Sequence, residues 1–146
     1  MSLILKMAGT RKYYKSDKIT ISFDPKLCIH AGECVRGIPE VFDVRKRPWI
    51  NPSGADIEKI VDVIERCPSG ALQYELRDGG KEPVAGETTI TVVPRGPLYV
   101  HGNIVIEDKA GNILYKGTRA ALCRCGQSRN MPFCDETHRK IKFESK

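Results

Sequence analysis

Cys123-Arg124-Cys125-Gly126-Gln127-Ser128-Arg129-Asn130-Met131-Pro132-Phe133-Cys134-Asp135-Glu136-Thr137-His138 gathers three thiols and one imidazole into sixteen residues. Neither a helical nor a strand period of apolar residues runs through it. A stretch this polar and irregular folds around something rather than into a core. Four soft or borderline donors in one loop make a closed site for zinc or hold an iron–sulfur cluster. Spacing separates the two. Structural zinc modules pair their ligands as C-x2-4-C twice over, and a C-x-C pair followed by a distant C-x3-H does not obey that rule.

The other three of the six cysteines lie far upstream, in Cys28-Ile29-His30-Ala31-Gly32-Glu33-Cys34 and in Cys67-Pro68-Ser69-Gly70-Ala71-Leu72. A bacterial ferredoxin run reads C-x2-C-x2-C with a remote cysteine followed by proline. Cys28 and Cys34 take its first and third positions, Cys67 is the remote one, and Ala31 stands second. With alanine in place of a thiolate, one corner iron has no cysteine ligand. The direct chemical consequence is a 3Fe-4S cluster on Cys28, Cys34 and Cys67. A 4Fe-4S cluster needs one more donor, for which His30 is the adjacent candidate; the plainer reading of His30 is a solvent-facing loop residue. A buried, redox-silent cysteine triplet is the bland alternative, and it leaves Cys67-Pro68 as no more than a helix stop.

Both stretches carry a family resemblance. Residues 119–138 resemble the CDGSH iron–sulfur motif of mitoNEET-like proteins, C-x-C-x2-S/T-x3-P-x-C-D-G-S/A/T-H, at every stated position except Glu136, where that family has glycine. Glycine there permits backbone angles that glutamate resists. The resemblance implies a 2Fe-2S cluster with one iron on Cys123 and Cys125 and the other on Cys134 and His138. It also implies that Asp135 opens a helix whose amides favour negative charge. Residues 19–76, including Pro39-Glu40-Val41-Phe42-Asp43, resemble the divergent single-cluster ferredoxin domain.

Outward from these motifs, Asp78 to Glu87 is rich in Gly, Pro and charge and reads as a linker. The division is then residues 1–78, a divergent ferredoxin-like module; 79–87, a linker; and 88–146, a small β-rich CDGSH-type module. The fold class is α+β. Modules of this size have marginal cores that a metal can supplement, so two independent centres are expected, one in each. In the first module Ile19–Phe23 alternates as a strand, and a helical turn is expected at Pro39–Phe42 and a brief strand at Arg47–Ile50. Ser53 and Asp56 fit a capping box for a helix striped by Ile57, Ile60, Val61 and Ile64, and Leu72, Tyr74 and Leu76 close with a strand. The second module offers strands at Thr89–Val93, Tyr99-Val100, Ile104–Ile106 and Ile113–Tyr115, with a turn at Ala110-Gly111-Asn112.

Among 146 residues the formal charge is +6, divided as +2 over residues 1–80 and +4 over 81–146. No concentrated basic tract with interleaved aromatics occurs, so nucleic acid is not an expected partner. The Lys and Arg residues at 6, 11, 12, 15 and 18 read as a solvated tail, as do Tyr13 and Tyr14 unless they pack locally; Trp49 reads as packing, and His101 as a turn or surface residue. Neither a membrane span nor a signal peptide is legible around Leu3-Ile4-Leu5, so the expectation is a cytoplasmic protein with reduced thiols. No GxGxxG, P-loop, nucleophile elbow or catalytic carboxylate pair is present, and no enzyme is expected. The expected role is carriage of single electrons between a reductase and an acceptor with an acidic surface, Arg124, Arg129, Arg139 and Lys140 offering a basic rim. A cluster donor or redox and pH sensor built on the His-ligated site is the alternative, with a zinc-stabilised interaction module behind it. Oligomeric state is open.

Overall fold

A computed structural model describes residues 11–84 and 86–144; the Leu3–Leu5 run and Lys6 of the basic stretch lie outside the described residues. Two three-stranded antiparallel sheets, each in simple sequence order, carry the chain. The first is β1 (Lys12–Lys15), β2 (Ile19–Phe23) and β3 (Leu72–Leu76), with Lys15 opposite Thr20 and Phe23 opposite Leu72. Period-two alternation sends Ile19, Ile21, Leu72 and Tyr74 to one face, where α2 (Ile57–Glu65) lays down Ile60, Val63 and Ile64. Ile38, Val41, Phe42 and Ile50 complete that core, and Trp49 meets Phe23 edge-on at 5.0 Å between ring centroids, so it is a packing residue.

Several local expectations move. The helix near the cysteine loop is α1 (Glu33–Gly37), and Pro39–Phe42 is a turn. Proline at 39 leaves no N–H with which to continue α1. Of the expected strand at Arg47–Ile50 there is a single bridge, Phe42 to Ile50. Ser53 and Asp56 form no capping box: the helix starts from Asp56, which makes no side-chain cap bond. The solvated tail is in part a strand, β1, and Arg11 before it donates from its guanidinium to Ser22 Oγ and to the carbonyls of Gly70 and Ala71 at 3.0–3.1 Å.

The second sheet is β4 (Thr89–Val92), β5 (Leu98–Glu107) and β6 (Ile113–Leu122). The two short runs expected at 99–106 are one strand, irregular between His101 and Ile104. Gly111, at φ +91°, makes the turn into β6. A one-turn helix, α3 (Thr137–Lys140), lies beyond the last cysteine. No helix among the described residues is long and apolar enough to cross a membrane.

The halves do not stand apart around a free linker. Leu27 and Ala71 of the first share a buried cluster with Ile104, Tyr115, Ala120 and Phe133 of the second. Arg119, 3% exposed, reaches from β6 to donate to the carbonyls of Cys67 and Leu72 and to the Glu82 carboxylate at 2.8 Å. Glu82 thereby ties the supposed linker down, as does the bridge between Glu75 and Lys81. Gly70, at φ +76°, lies so close to the Arg119 carbonyl and the Tyr115 hydroxyl that a Cβ would fall 2.1 Å from each. Each half is too small to bury much apolar surface alone, and the two bury part of it against each other.

Candidate metal centres

β6 delivers Cys123 to the late site. The chain then loops out and returns beside the strand end, with Cys123 N–H on the Pro132 carbonyl and Cys134 N–H on the Ala121 carbonyl, both at 2.8 Å. Ser128 braces the loop, donating to the Phe133 carbonyl at 2.6 Å and accepting Asn130 N–H at 3.0 Å. Asp135 accepts Arg129 N–H at 2.9 Å and Thr137 N–H at 3.0 Å. Its bond from the Thr137 hydroxyl, with these amides, pulls its pKa down to about 2. It thus ties the middle of the loop to the start of α3 as an ionised group.

The four donors meet in pairs: Cys123 Sγ to Cys125 Sγ at 3.8 Å, and Cys134 Sγ to His138 Nδ1 at 3.5 Å. Burial pushes the Cys123 thiol up, but the amides of Ser128, Gly126 and Gln127 directed at it prevail and hold it below its ordinary value. Successive N–H groups around a sulfur form an anion-binding nest, such as iron–sulfur sites use. Burial raises the Cys134 thiol and lowers His138, whose imidazole Arg139 also disfavours as a cation. A neutral imidazole is the metal-binding form.

Cys28, Cys34 and Cys67 line one cavity together with Ala31, Ile29 and Ser69. Burial pushes Cys34 up to about 11, and the neighbouring Cys67 and Cys28 sulfurs add to the shift. Burial raises Cys28, with the Cys67 sulfur and the Glu136 carboxylate adding to the shift and the His30 N–H that it accepts at 3.4 Å opposing it. Half-buried thiols with raised pKa values are poor lone nucleophiles, but metal coordination deprotonates them outright. Among the described residues no group of three or more His, Cys, Asp and Glu side chains is placed to hold one ion. Three thiols around a cavity, and two donor pairs in a nest, are the arrangement a multi-iron group fits.

The structure places Cys28, Cys34 and Cys67 around one cavity and the late donors in two pairs, Cys123 with Cys125 and Cys134 with His138. It turns His30 elsewhere: its Nδ1 lies 2.6 Å from Glu136 Oε2. Glu136, in the glycine position of the CDGSH pattern, does take the glycine-type conformation, φ +72°, and it also pairs with Arg139 at 3.0 Å. A non-glycine residue pays about 1–2 kcal/mol there. His101 lies in β5, 3.9 Å from Glu82, and takes no part in either site. Arg124 is not a free member of the basic rim, since it donates to the Val93 and Gly96 carbonyls and stacks over Phe143. Arg129, Arg139 and Lys140 are exposed. Arg119, Glu82 and the bond from Asn130 to the Lys26 carbonyl escape sequence reasoning, because each joins residues far apart in the chain.

Comparison with known proteins finds two families along the chain. The family described as "Divergent 4Fe-4S mono-cluster" matches residues 14–77, and "Iron-binding zinc finger CDGSH type" matches residues 95–139. The "Uncharacterized protein YjdI" of Escherichia coli K12, and that of O157:H7, are each 42% identical to the chain over 66 residues, 45% of this chain and 87% of theirs.

Proposed function

Because the chain belongs to the divergent 4Fe-4S mono-cluster family and continues into a CDGSH-type iron-binding domain, it is an iron–sulfur protein, and we propose that it carries single electrons between a reductase and an acceptor protein. The observation that supports this most is the pair of sulfur cradles, each with backbone N–H groups directed at its sulfurs, mounted on one shared core.

In this reading Cys28, Cys34 and Cys67 of a ferredoxin-like module hold a cuboid cluster. It is 4Fe-4S where an outside donor completes it and 3Fe-4S where none does, because Ala31 supplies no thiolate. Cys123 and Cys125 hold one iron of a 2Fe-2S cluster, and Cys134 and His138 the other. Such clusters supply one-electron chemistry when bound. The protein's own residues place the sulfurs and direct amides at them, and a bound metal would deprotonate the thiols that burial otherwise keeps protonated. Hydrogen bonds to the sulfurs and burial are the levers that set potential. The exposed Arg129, Arg139 and Lys140 beside the late cradle suit an acidic partner surface. The one thiol–imidazole contact, Cys134 Sγ to His138 Nδ1 at 3.5 Å, belongs to the donor set of the late cradle, so the reading is a carrier and not an enzyme.

The donor or sensor alternative draws on His138, one imidazole among thiolates on a one-turn helix. One experiment separates the two. The anaerobically purified chain is reduced by a one-electron donor, mixed with an oxidised acceptor protein, and assayed for iron before and after. Reversible bleaching with iron retained supports carriage. Transfer of iron and sulfide to an apo-acceptor overturns it in favour of donation.

A further inference from the structure

His30 and Glu136 are in different cradles, yet they occupy the same place in each. Each lies two residues after a cysteine, each has left-handed backbone angles (φ +57° and +72°), and each turns its N–H onto that cysteine's sulfur at 3.4 Å. Their side chains then meet, His30 Nδ1 to Glu136 Oε2 at 2.6 Å. The result is one unbroken chain of contacts: Cys28 Sγ, His30 N–H, imidazole, Glu136 carboxylate, Glu136 N–H, Cys134 Sγ. Alongside it Ile29 and Ala31 of the early loop pack with Ala121 and Cys134 of the late one, with Tyr99 over them.

Stability does not explain the two residues. Glycine would take both conformations without strain. The contact that they make instead has a side chain 75% exposed on the histidine side and 20% on the glutamate side, and pairs with so exposed a partner return little. Strain of this kind, held at two linked positions beside two sulfur donors, points to a use.

We propose that His30 and Glu136 are the link through which the two centres exchange an electron. The inference rests on the carrier reading above. One electron leaves one centre and enters the other; no covalent bond forms or breaks and no proton need move. His30 and Glu136 are positioning residues, since each acts through the cysteine whose sulfur it contacts.

The test uses the full chain with both centres loaded. His30→Gly and Glu136→Gly keep the left-handed backbone and its N–H on sulfur, and delete only the side-chain link. Laser-flash reduction by a photoreduced flavin delivers less than one electron per molecule, and absorbance follows its distribution. The wild type should show a first-order phase, independent of protein concentration, in which one centre reoxidises as the other is reduced. Each glycine variant should slow that phase severalfold, the double variant no further, with iron content unchanged and the rates compared at the driving force that each variant's own two midpoint potentials give. Glu136→Gln, which can still bond to His30, should restore most of the rate. A purely structural role would move iron content or stability and leave this phase alone. The proposal is overturned if all variants keep the wild-type rate, or if the wild type has two reducible centres and no such phase. A chain with no reducible centre at all overturns carriage itself, and this inference with it.

Discussion

Replacing Arg119 by Met removes the most connected polar contact between the halves. The guanidinium is 3% exposed and serves the Glu82 carboxylate and the carbonyls of Cys67 and Leu72. Met fills most of the same space but leaves Glu82, whose side chain is 9% exposed, as a buried charge without its closest cation. Removing one partner of a buried pair costs about 3–5 kcal/mol. At roughly 2–4 °C per kcal/mol for a chain of this size, the unfolding midpoint should fall on the order of 10 °C. Anaerobic scanning calorimetry of the loaded chain, at one fixed scan rate, measures it, since loss of iron makes the transition irreversible. Because Arg119 holds the Cys67 carbonyl while its own strand leads to Cys123, both centres should bleach in one transition. Glu82→Leu with Arg119→Met should recover part of the loss, as apolar replacement of both partners does. A fall of under ~1 kcal/mol for Arg119→Met, or two well-separated wild-type transitions, would refute the reasoning.

Four further outcomes are expected. Gly70→Ala puts a methyl against the Arg119 carbonyl and the Tyr115 hydroxyl at φ +76° and should lower stability by about 1–3 kcal/mol or more, measured in the same scan. Glu136→Gly should raise the midpoint slightly, by under about 1 kcal/mol, since the strain relieved exceeds what the contacts with the exposed His30 and Arg139 side chains return; a lower midpoint contradicts the strain assignment. Ala31→Cys adds a fourth thiol to the Cys28, Cys34 and Cys67 cavity and should shift the early centre towards four irons by EPR and iron count; an unchanged count means that the vacancy does not decide nuclearity. The last is pH dependence. Burial lowers the folded pKa of His138, so its contribution is fully present above the unfolded value of about 6.5 and is lost as pH falls below it. Asp135, pulled down to about 2, contributes above its unfolded value of about 3.9 and fails only as pH falls from there towards 2. Loss of the late chromophore should therefore quicken first below about pH 6.5, and His138→Cys should remove that first step while leaving the second.

What the chain displays locally and what it hides follow from contact range. Ile19–Phe23, the stripe Ile57, Ile60 and Ile64, and Leu72–Leu76 are legible because alternation and the helical period are properties of neighbouring residues. The two cysteine groups are legible as groups because their spacing is also local, or ends in a marked Cys-Pro. β1 is not, since Lys12-Tyr13-Tyr14-Lys15 shows no buried face and becomes a strand by pairing with β2 at the sheet edge. The same holds for the union of the halves. Leu27, Ala71, Ala120 and Phe133 read as stray apolar residues until the fold stacks them, and Arg119 reads as surface charge until Glu82 and two carbonyls surround it. Glu136 looks like a mismatch to the CDGSH pattern until His30 is seen across from it.

Two iron–sulfur centres in one folded chain are the central claim. Quantitative iron, zinc and acid-labile sulfide on the anaerobically purified full chain, read with EPR of the same sample before and after reduction, tests it most directly. The account predicts iron and sulfide without zinc, with two distinct EPR signals. One is a cuboid cluster abolished by Cys67→Ser; the other is a two-iron cluster abolished by Cys123→Ser. Zinc in place of iron, or a single signal abolished by either substitution, would contradict it.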